Sequence, residues 1–183
     1  MLTLRSEPLF TEIRIRERVD QLAERILQDI GGDKPLVAVG ILRGCYVFMA
    51  DLLRELAKRG AAINEQDFLI ASSYGDETES TKKIKIERDL LMDIKDQRVL
   101  LIDDIIDTGH TLKLIRELLL KRNPEMIKTV TLLDKPERRE VDLNADYSGF
   151  TIPNVFVVGY GLDYAQKYRE LPYITVLEDQ AEG

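Results

Sequence analysis

Cysteine is almost absent from this chain: Cys45 is the only one in 183 residues. A lone cysteine excludes an intrachain disulfide and fits a reducing cytoplasm. Long apolar runs are also missing, none approaching the ~20 residues that span a bilayer. The opening Met-Leu-Thr-Leu-Arg-Ser-Glu-Pro lacks the apolar stretch of a secretory signal. No membrane association is therefore expected. Basic residues are in deficit, with 26 Lys and Arg against 33 Asp and Glu and a net charge of −7. That balance weighs against a general nucleic-acid surface. Two nucleotide-binding signatures fail as well. There is no Gly-x-x-x-x-Gly-Lys-Ser/Thr, and the Gly-x-Gly at 159–161 is followed by Tyr164 where the dinucleotide fingerprint needs a third glycine. What is present is a hydrophobic fraction of 44%, in a length that suits one domain with one substantial core. A small soluble enzyme is the expectation.

Strand patterns alternate with helical ones. Val19, Leu22, Ala23, Ile26, Leu27 and Ile30 recur at helical spacing and predict a helix over about 12–28, stopped by Gly31-Gly32. Residues 36–41 read as a short buried strand ending in Leu42-Arg43-Gly44. Val47, Phe48, Leu52, Leu53 and Leu56 mark a second amphipathic helix that Gly60 ends. Residues 68–71 form a further strand, leading into Ser72-Ser73-Tyr74-Gly75. Residues 75–83 hold no apolar side chain, so they cannot join a core and are expected to be a mobile solvent loop. Ile84 and Ile86 alternate with charged residues, as on an edge strand. Strands at 99–102, 127–133, 155–158 and 174–177, with a helix over 112–122, complete the pattern. The alternation predicts an α/β fold, a mostly parallel twisted sheet flanked by helices in a single domain of residues 1–183.

The most informative stretch is residues 99–111, Val-Leu-Leu-Ile-Asp-Asp-Ile-Ile-Asp-Thr-Gly-His-Thr. Ligands of open parallel sheets collect where strands end and the chain turns into a helix. Here that edge carries Asp103, Asp104 and Asp107, able to hold ribose hydroxyls, a hard metal ion or both. The turn Thr108-Gly109-His110-Thr111 offers backbone N–H groups to an anion at the helix N-terminus. A solvated acidic turn or a receiver-like acidic cluster has the same bare composition.

Four other segments should emerge at this edge. Arg43-Gly44 reads alone as an ordinary strand-to-helix turn, although glycine lets backbone approach a ligand closely. Ser73-Tyr74 with the polar loop reads as a surface hairpin. Lys135, between Asp134 and Pro136, reads as a solvated turn lysine. Phe156, opening the run Phe-Val-Val-Gly-Tyr-Gly-Leu-Asp-Tyr, reads more naturally as core than as a ligand platform.

Residues 99–111 resemble the type I phosphoribosyltransferase motif: two acidic residues, two or so apolar ones, then Asp-Thr-Gly-x-Thr. Residues 131–139 and 156–173 are similar to the hypoxanthine-guanine branch of that family. The resemblance implies a parallel core over about 34–150, with a small hood built from the N-terminal region and about 151–183. It implies a donor, phosphoribosyl pyrophosphate, and a 6-oxopurine acceptor, with Mg²⁺ as cofactor. Asp103, Asp104 and Thr108 to Thr111 would hold ribose and 5′-phosphate. Arg43, Gly44, Ser73, Tyr74 and Arg169 would hold pyrophosphate, the 42–44 loop often having a cis peptide in this family. Lys135, a donor-only group, would face the purine 6-oxo oxygen. Phe156 would stack on the base, Val157 would read its edge through the backbone with Asp163 beside it, and Asp163, with Asp103 and Asp104, would also lie near the metal. Asp107 would be the general base.

The implied activity is transfer of 5-phosphoribosyl to N9 of hypoxanthine, and of guanine, giving the nucleoside monophosphate and pyrophosphate. The family implies a cytoplasmic homodimer or homotetramer. Two alternatives stay open at this point: an RNA-binding attenuation regulator of the pyrimidine type, which shares the Asp-Thr-Gly turn, and a transferase for xanthine, adenine or another base.

Overall fold

The computed structural model describes residues 2–74 and 83–179. All but the last position of the polar loop expected at 75–83 lies outside the described residues. Two strands at the centre are buried on both faces, which is why they read as unbroken apolar runs. These are β2 (Leu36–Leu42) and β5 (Arg98–Ile106), paired in parallel with Val37 opposite Val99 and Gly40 opposite Ile102. On the far side of β2 lie β3 (Ile63–Tyr74) and then β4 (Lys83–Arg88). On the far side of β5 lie β6 (Met126–Asp134) and β7 (Tyr147–Thr151). Every neighbouring pair is parallel except β3 and β4.

Side chains alternate along the central strands and feed two cores. Ala38, Leu100 and Ile102 pack under α1 (Glu12–Ile30) and α2 (Tyr46–Lys58). Val37, Val39, Val99 and Leu101 pack under α3 (His110–Leu120). The sheet is thus mostly parallel with helices on both faces. From β2 the chain crosses through α2 to one side, and from β5 it crosses through α3 to the other. The loops after β2 and β5 diverge, and a crevice opens between them at the carboxyl ends of the strands.

A second, antiparallel sheet joins the chain ends in the order β1 (Leu2–Leu4), β9 (Thr175–Asp179), β8 (Val157–Val158). It is tied to the main body by Phe10, which stacks on Phe150 with ring centroids 3.9 Å apart. The Tyr160 hydroxyl also donates to Asp51 Oδ2 of α2 at 2.6 Å. Among the described residues, no helix is long and apolar enough to cross a membrane.

Several boundaries differ from those expected. β1 and β7 are additional strands, and β3 begins five residues earlier than the apolar run at 68–71, because Ile63 to Asp67 follow the register of β2 despite their polarity. β5 does not stop at Ile102. Asp103, Ile105 and Ile106 continue the ladder with Thr131, Leu133 and Asp134, so the first two carboxylates stand on a strand and only Asp107 on the turn.

Candidate active site

The crevice between the diverging loops holds a cavity of about 240 Å³. Its walls include Arg43 and Gly44 after β2, Asp103 and Asp104 on β5, and Asp107, Thr108, Gly109 and Thr111 at the turn into α3. Asp103 is buried and Asp104 half-buried. Burial pushes both carboxyls above the ordinary aspartate range, and for Asp103 the neighbouring charge of Asp104 adds to it. Asp104 fits against the main chain of Gly44, where a Cβ would meet its Oδ2 at 1.7 Å. No side chain larger than hydrogen is accommodated there without displacing the carboxylate. The Leu42–Arg43 peptide of this loop is cis.

Gly109 opens α3, and no side chain caps that end. Instead the turn is braced from behind by the segment after β6. Glu140 N–H donates to Thr108 O at 3.0 Å, and Arg139 Nη1 donates to Asp107 O at 2.5 Å. The same guanidinium pairs with Asp134 at 2.5 Å. His110 does not line the cavity; its Nε2 lies 2.8 Å from Glu140 Oε2. Its contribution to an anion site is restricted to its backbone.

Asp107 is half-exposed and faces cations. Arg138 Nε donates to its Oδ1 at 3.1 Å, and Lys135 Nζ stands 3.9 Å from its Oδ2. Lys135 is only 7% exposed, which corrects its bare reading as a solvated turn lysine. Pro136–Arg138 forms a short 3-10 turn, and the Lys135 N–H donates to Ile106 O at 2.9 Å, pinning the residue beside the turn. Burial lowers the ammonium below the usual lysine value, while the Asp107 charge opposes the shift.

Arg43 and Arg169 come together from distant segments. Arg43 Nη1 and Arg169 Nη2 both donate to Gln166 Oε1, at 3.0 and 3.1 Å. Arg169 also donates to Gly161 O at 2.6 Å and pairs with Asp163 at 2.8 Å. Gly161, at φ +98°, has the Gly44 carbonyl where a Cβ would sit, so the loop after β2 and the chain at 161 touch backbone to backbone. Phe156 and Val157 are not walls of the cavity. Val157 is buried in β8, whereas Phe156 is 50% exposed with its ring edge-on to Tyr164, so it is no core residue. Ser73 and Tyr74 end β3, opposite Ile84 and Lys83, and their side chains lie outside the described residues.

Arg138, Arg139, Glu140 and Gln166 were not singled out from the sequence. The run Lys-Pro-Glu-Arg-Arg-Glu at 135–140 was the available signal for the first three; Gln166 had none. Among the described residues no three His, Cys, Asp or Glu converge as a metal site. The carboxylates lining the cavity are Asp103, Asp104 and Asp107, without histidine or thiolate. That set suits a hard cation held largely by substrate oxygens and water. A larger cavity of about 610 Å³ lies between α1, α2 and residues 160–172. Arg169 lines this cavity and not the crevice, and the cavity's cations Arg16, Arg54, Lys58 and Arg169 pair with Glu12, Asp51, Glu55 and Asp163.

A family model described as "Phosphoribosyl transferase domain" matches residues 10–165. The chain is 47% identical over 171 residues to a hypoxanthine phosphoribosyltransferase of Escherichia coli, covering 92% of this chain and 93% of that one. It is 47% identical over 174 residues to a hypoxanthine-guanine phosphoribosyltransferase of Dictyostelium discoideum, covering 95% and 96%. Among solved structures, a hypoxanthine phosphoribosyltransferase of Staphylococcus aureus superposes with a TM-score of 0.86 at 45% identity, covering 94% and 91%.

Proposed function

The chain belongs to the phosphoribosyltransferase family, in its hypoxanthine-guanine branch, and from that premise we propose how its own residues carry out the purine-salvage transfer. The enzyme moves 5-phosphoribosyl from phosphoribosyl pyrophosphate to N9 of hypoxanthine, and of guanine. The bond from C1′ to the pyrophosphate oxygen breaks with its electron pair leaving on pyrophosphate, and the N9–C1′ bond forms. The relatives are transferases, which leaves the RNA-binding alternative without support.

One observation carries the assignment of roles: the carboxylate pair and the uncapped turn into α3 line a single crevice, and the buried Lys135 stands beside it, its Nζ 3.9 Å from Oδ2 of the lining residue Asp107. Asp103 and Asp104 hold the ribose hydroxyls, and the backbone of Thr108 to Thr111 holds the 5′-phosphate. Arg43, Gly44, Arg169, Ser73 and Tyr74 hold the pyrophosphate. Lys135 Nζ, 3.9 Å from the Asp107 carboxylate, is beyond hydrogen-bond range of it and has N–H groups to donate to a 6-oxo oxygen. Phe156 stacks on the purine, and the Val157 backbone reads its edge. Asp107 takes the proton from N7 as N9 attacks. Asp103, Asp104 and Asp163 would hold Mg²⁺ together with substrate oxygens, and the bound ion would neutralise charge on the departing pyrophosphate.

The six-stranded sheet serves as the core and the β1-β9-β8 sheet as the hood, within one domain. A cytoplasmic location rests on the lone, free Cys45, and a homodimer or homotetramer on kinship alone. The test is a competition assay with hypoxanthine, guanine, xanthine, adenine and orotate, reading nucleotide and pyrophosphate. Transfer to 6-oxopurines is expected; transfer to adenine or orotate in their place would overturn the reading.

A further inference from the structure

Two guanidinium groups brought side by side repel unless an acceptor lies between them. Arg43 and Arg169 share one, the side-chain oxygen of Gln166, at 3.0 and 3.1 Å. An amide oxygen has two lone pairs and can serve two donors at once. It is also neutral, so it orients both cations while adding no charge of its own; among the described residues the one carboxylate paired with them is Asp163, on Arg169 at 2.8 Å.

The backbone delivers this oxygen at a cost in conformation. Tyr164 and Lys167 exchange both N–H···O bonds, at 3.2 and 3.0 Å, closing a two-residue hairpin. Its central residues, Ala165 at φ +50° and Gln166 at φ +66°, both occupy the left-handed region. Such a turn favours Gly, Asn or Asp. A glutamine held there without local advantage points to a demand on its side chain. The residue is pinned further, its N–H donating to Asp163 Oδ2 at 2.7 Å while Asp163 pairs with Arg169.

We propose that Gln166 is a positioning residue, which holds Arg43 of the core and Arg169 of the hood as a charged pair ready for the pyrophosphate group. The inference rests on the reading of those arginines as pyrophosphate ligands. Gln166 touches no reacting atom; it acts through the two cations, and it couples a loop after β2 to the hairpin beyond β8.

The experiment measures both directions of the reaction with Gln166→Met and Gln166→Gly. Methionine keeps the length and loses the acceptor, while glycine relaxes the turn and loses the acceptor. Both should raise KM for phosphoribosyl pyrophosphate and for pyrophosphate about five- to tenfold, the upper end for losing one hydrogen bond. KM for hypoxanthine and for IMP should stay within about twofold, and the thermal midpoint of the glycine variant should not fall, because its turn is eased. Arg43→Met and Arg169→Met are measured alongside. If they raise the pyrophosphate constants and the Gln166 variants do not, Gln166 has no positioning role. If neither arginine variant alters those constants, the reading of the pyrophosphate site fails, and the inference with it. In an Arg43→Met background the Gln166→Met effect should shrink; full additivity would show that the amide does not act through Arg43.

Discussion

Lys135 carries its charge at the end of a buried stem, close to a carboxylate yet not bonded to it. A donor left in that state is available to a ligand. Lys135→Ala should therefore raise KM for hypoxanthine at least about tenfold, since a hydrogen bond involving a charged group is worth ~1.5–3 kcal/mol. KM for phosphoribosyl pyrophosphate should change only a few-fold, and equal losses for the two substrates would make the lysine structural. Asp107→Asn separates catalysis from folding of the turn, because asparagine keeps the size and leaves the carbonyl that Arg139 holds. Donor binding should stay within a few-fold, while the single-turnover rate falls by about 10²–10⁴, the usual worth of a general base. An unchanged single-turnover rate would reduce Asp107 to a turn residue. Asp107 stands out in the sequence through its motif, whereas Lys135 is pointed to by the family resemblance alone. Arg139 lies in the charged run at 135–140, which does not give its role, and Gln166 has no signal at all, because such polar residues acquire their roles only from what folding brings beside them.

The turn from β5 into α3 depends on an element outside the motif. Arg139 bridges Asp107 O and Asp134 with little exposure to water, so removing it leaves a shielded carboxylate unpaired. Arg139→Met should cost about 3 kcal/mol, the lower end for breaking a buried ion pair from one side. Replacing Asp134 by Leu as well should return most of that stability. KM for phosphoribosyl pyrophosphate should stay raised in the double variant, because the Asp107 carbonyl still lacks its donor; a restored KM would show that the brace does not shape the turn. Denaturant titration beside steady-state kinetics checks both halves. At this scale the sequence reads unevenly. β2, β5 and the three helices announce themselves through apolar periodicity. β1 has three residues and pairs with β9 from the other end of the chain. β7, Tyr-Ser-Gly-Phe-Thr, is short and holds its place by pairing with β6. Neither carries a local signal, since what defines each is a partner supplied by tertiary structure. The lower part of β3 was hidden in the same way by its polar side chains.

For the whole molecule, the carboxylate pair on β5 has a thermodynamic cost. Burial raises the folded-state values of Asp103 and Asp104 above 3.8, so the folded chain binds protons more readily than the unfolded one. The pair's contribution is most favourable below the unfolded value. It is lost as pH rises through the folded values, when both groups must ionise inside the protein. Asp103→Asn should accordingly raise the melting temperature of the free protein at neutral pH, by about 2–4 °C for each kcal/mol relieved. The gain should shrink as pH falls toward 3.8. Melting curves across that range decide the matter, and a gain constant with pH would mean that the asparagine acts through packing instead. The variant should also bind ribose poorly, so stability and activity move in opposite directions at this residue.

The same pair of like charges bears on how long each copy of the protein survives. A donor saturating the site at about 100 times its dissociation constant adds ~2.7 kcal/mol to folding. Empty copies open more often than loaded ones and are the first to be degraded wherever proteases sample the unfolded state. Copies loaded with phosphoribosyl pyrophosphate are therefore expected to outlast empty ones under proteolysis. Limited proteolysis with and without the magnesium complex of the donor would register this as a difference in half-life. In the Asp103→Asn protein that difference should narrow, the empty form having become the longer-lived.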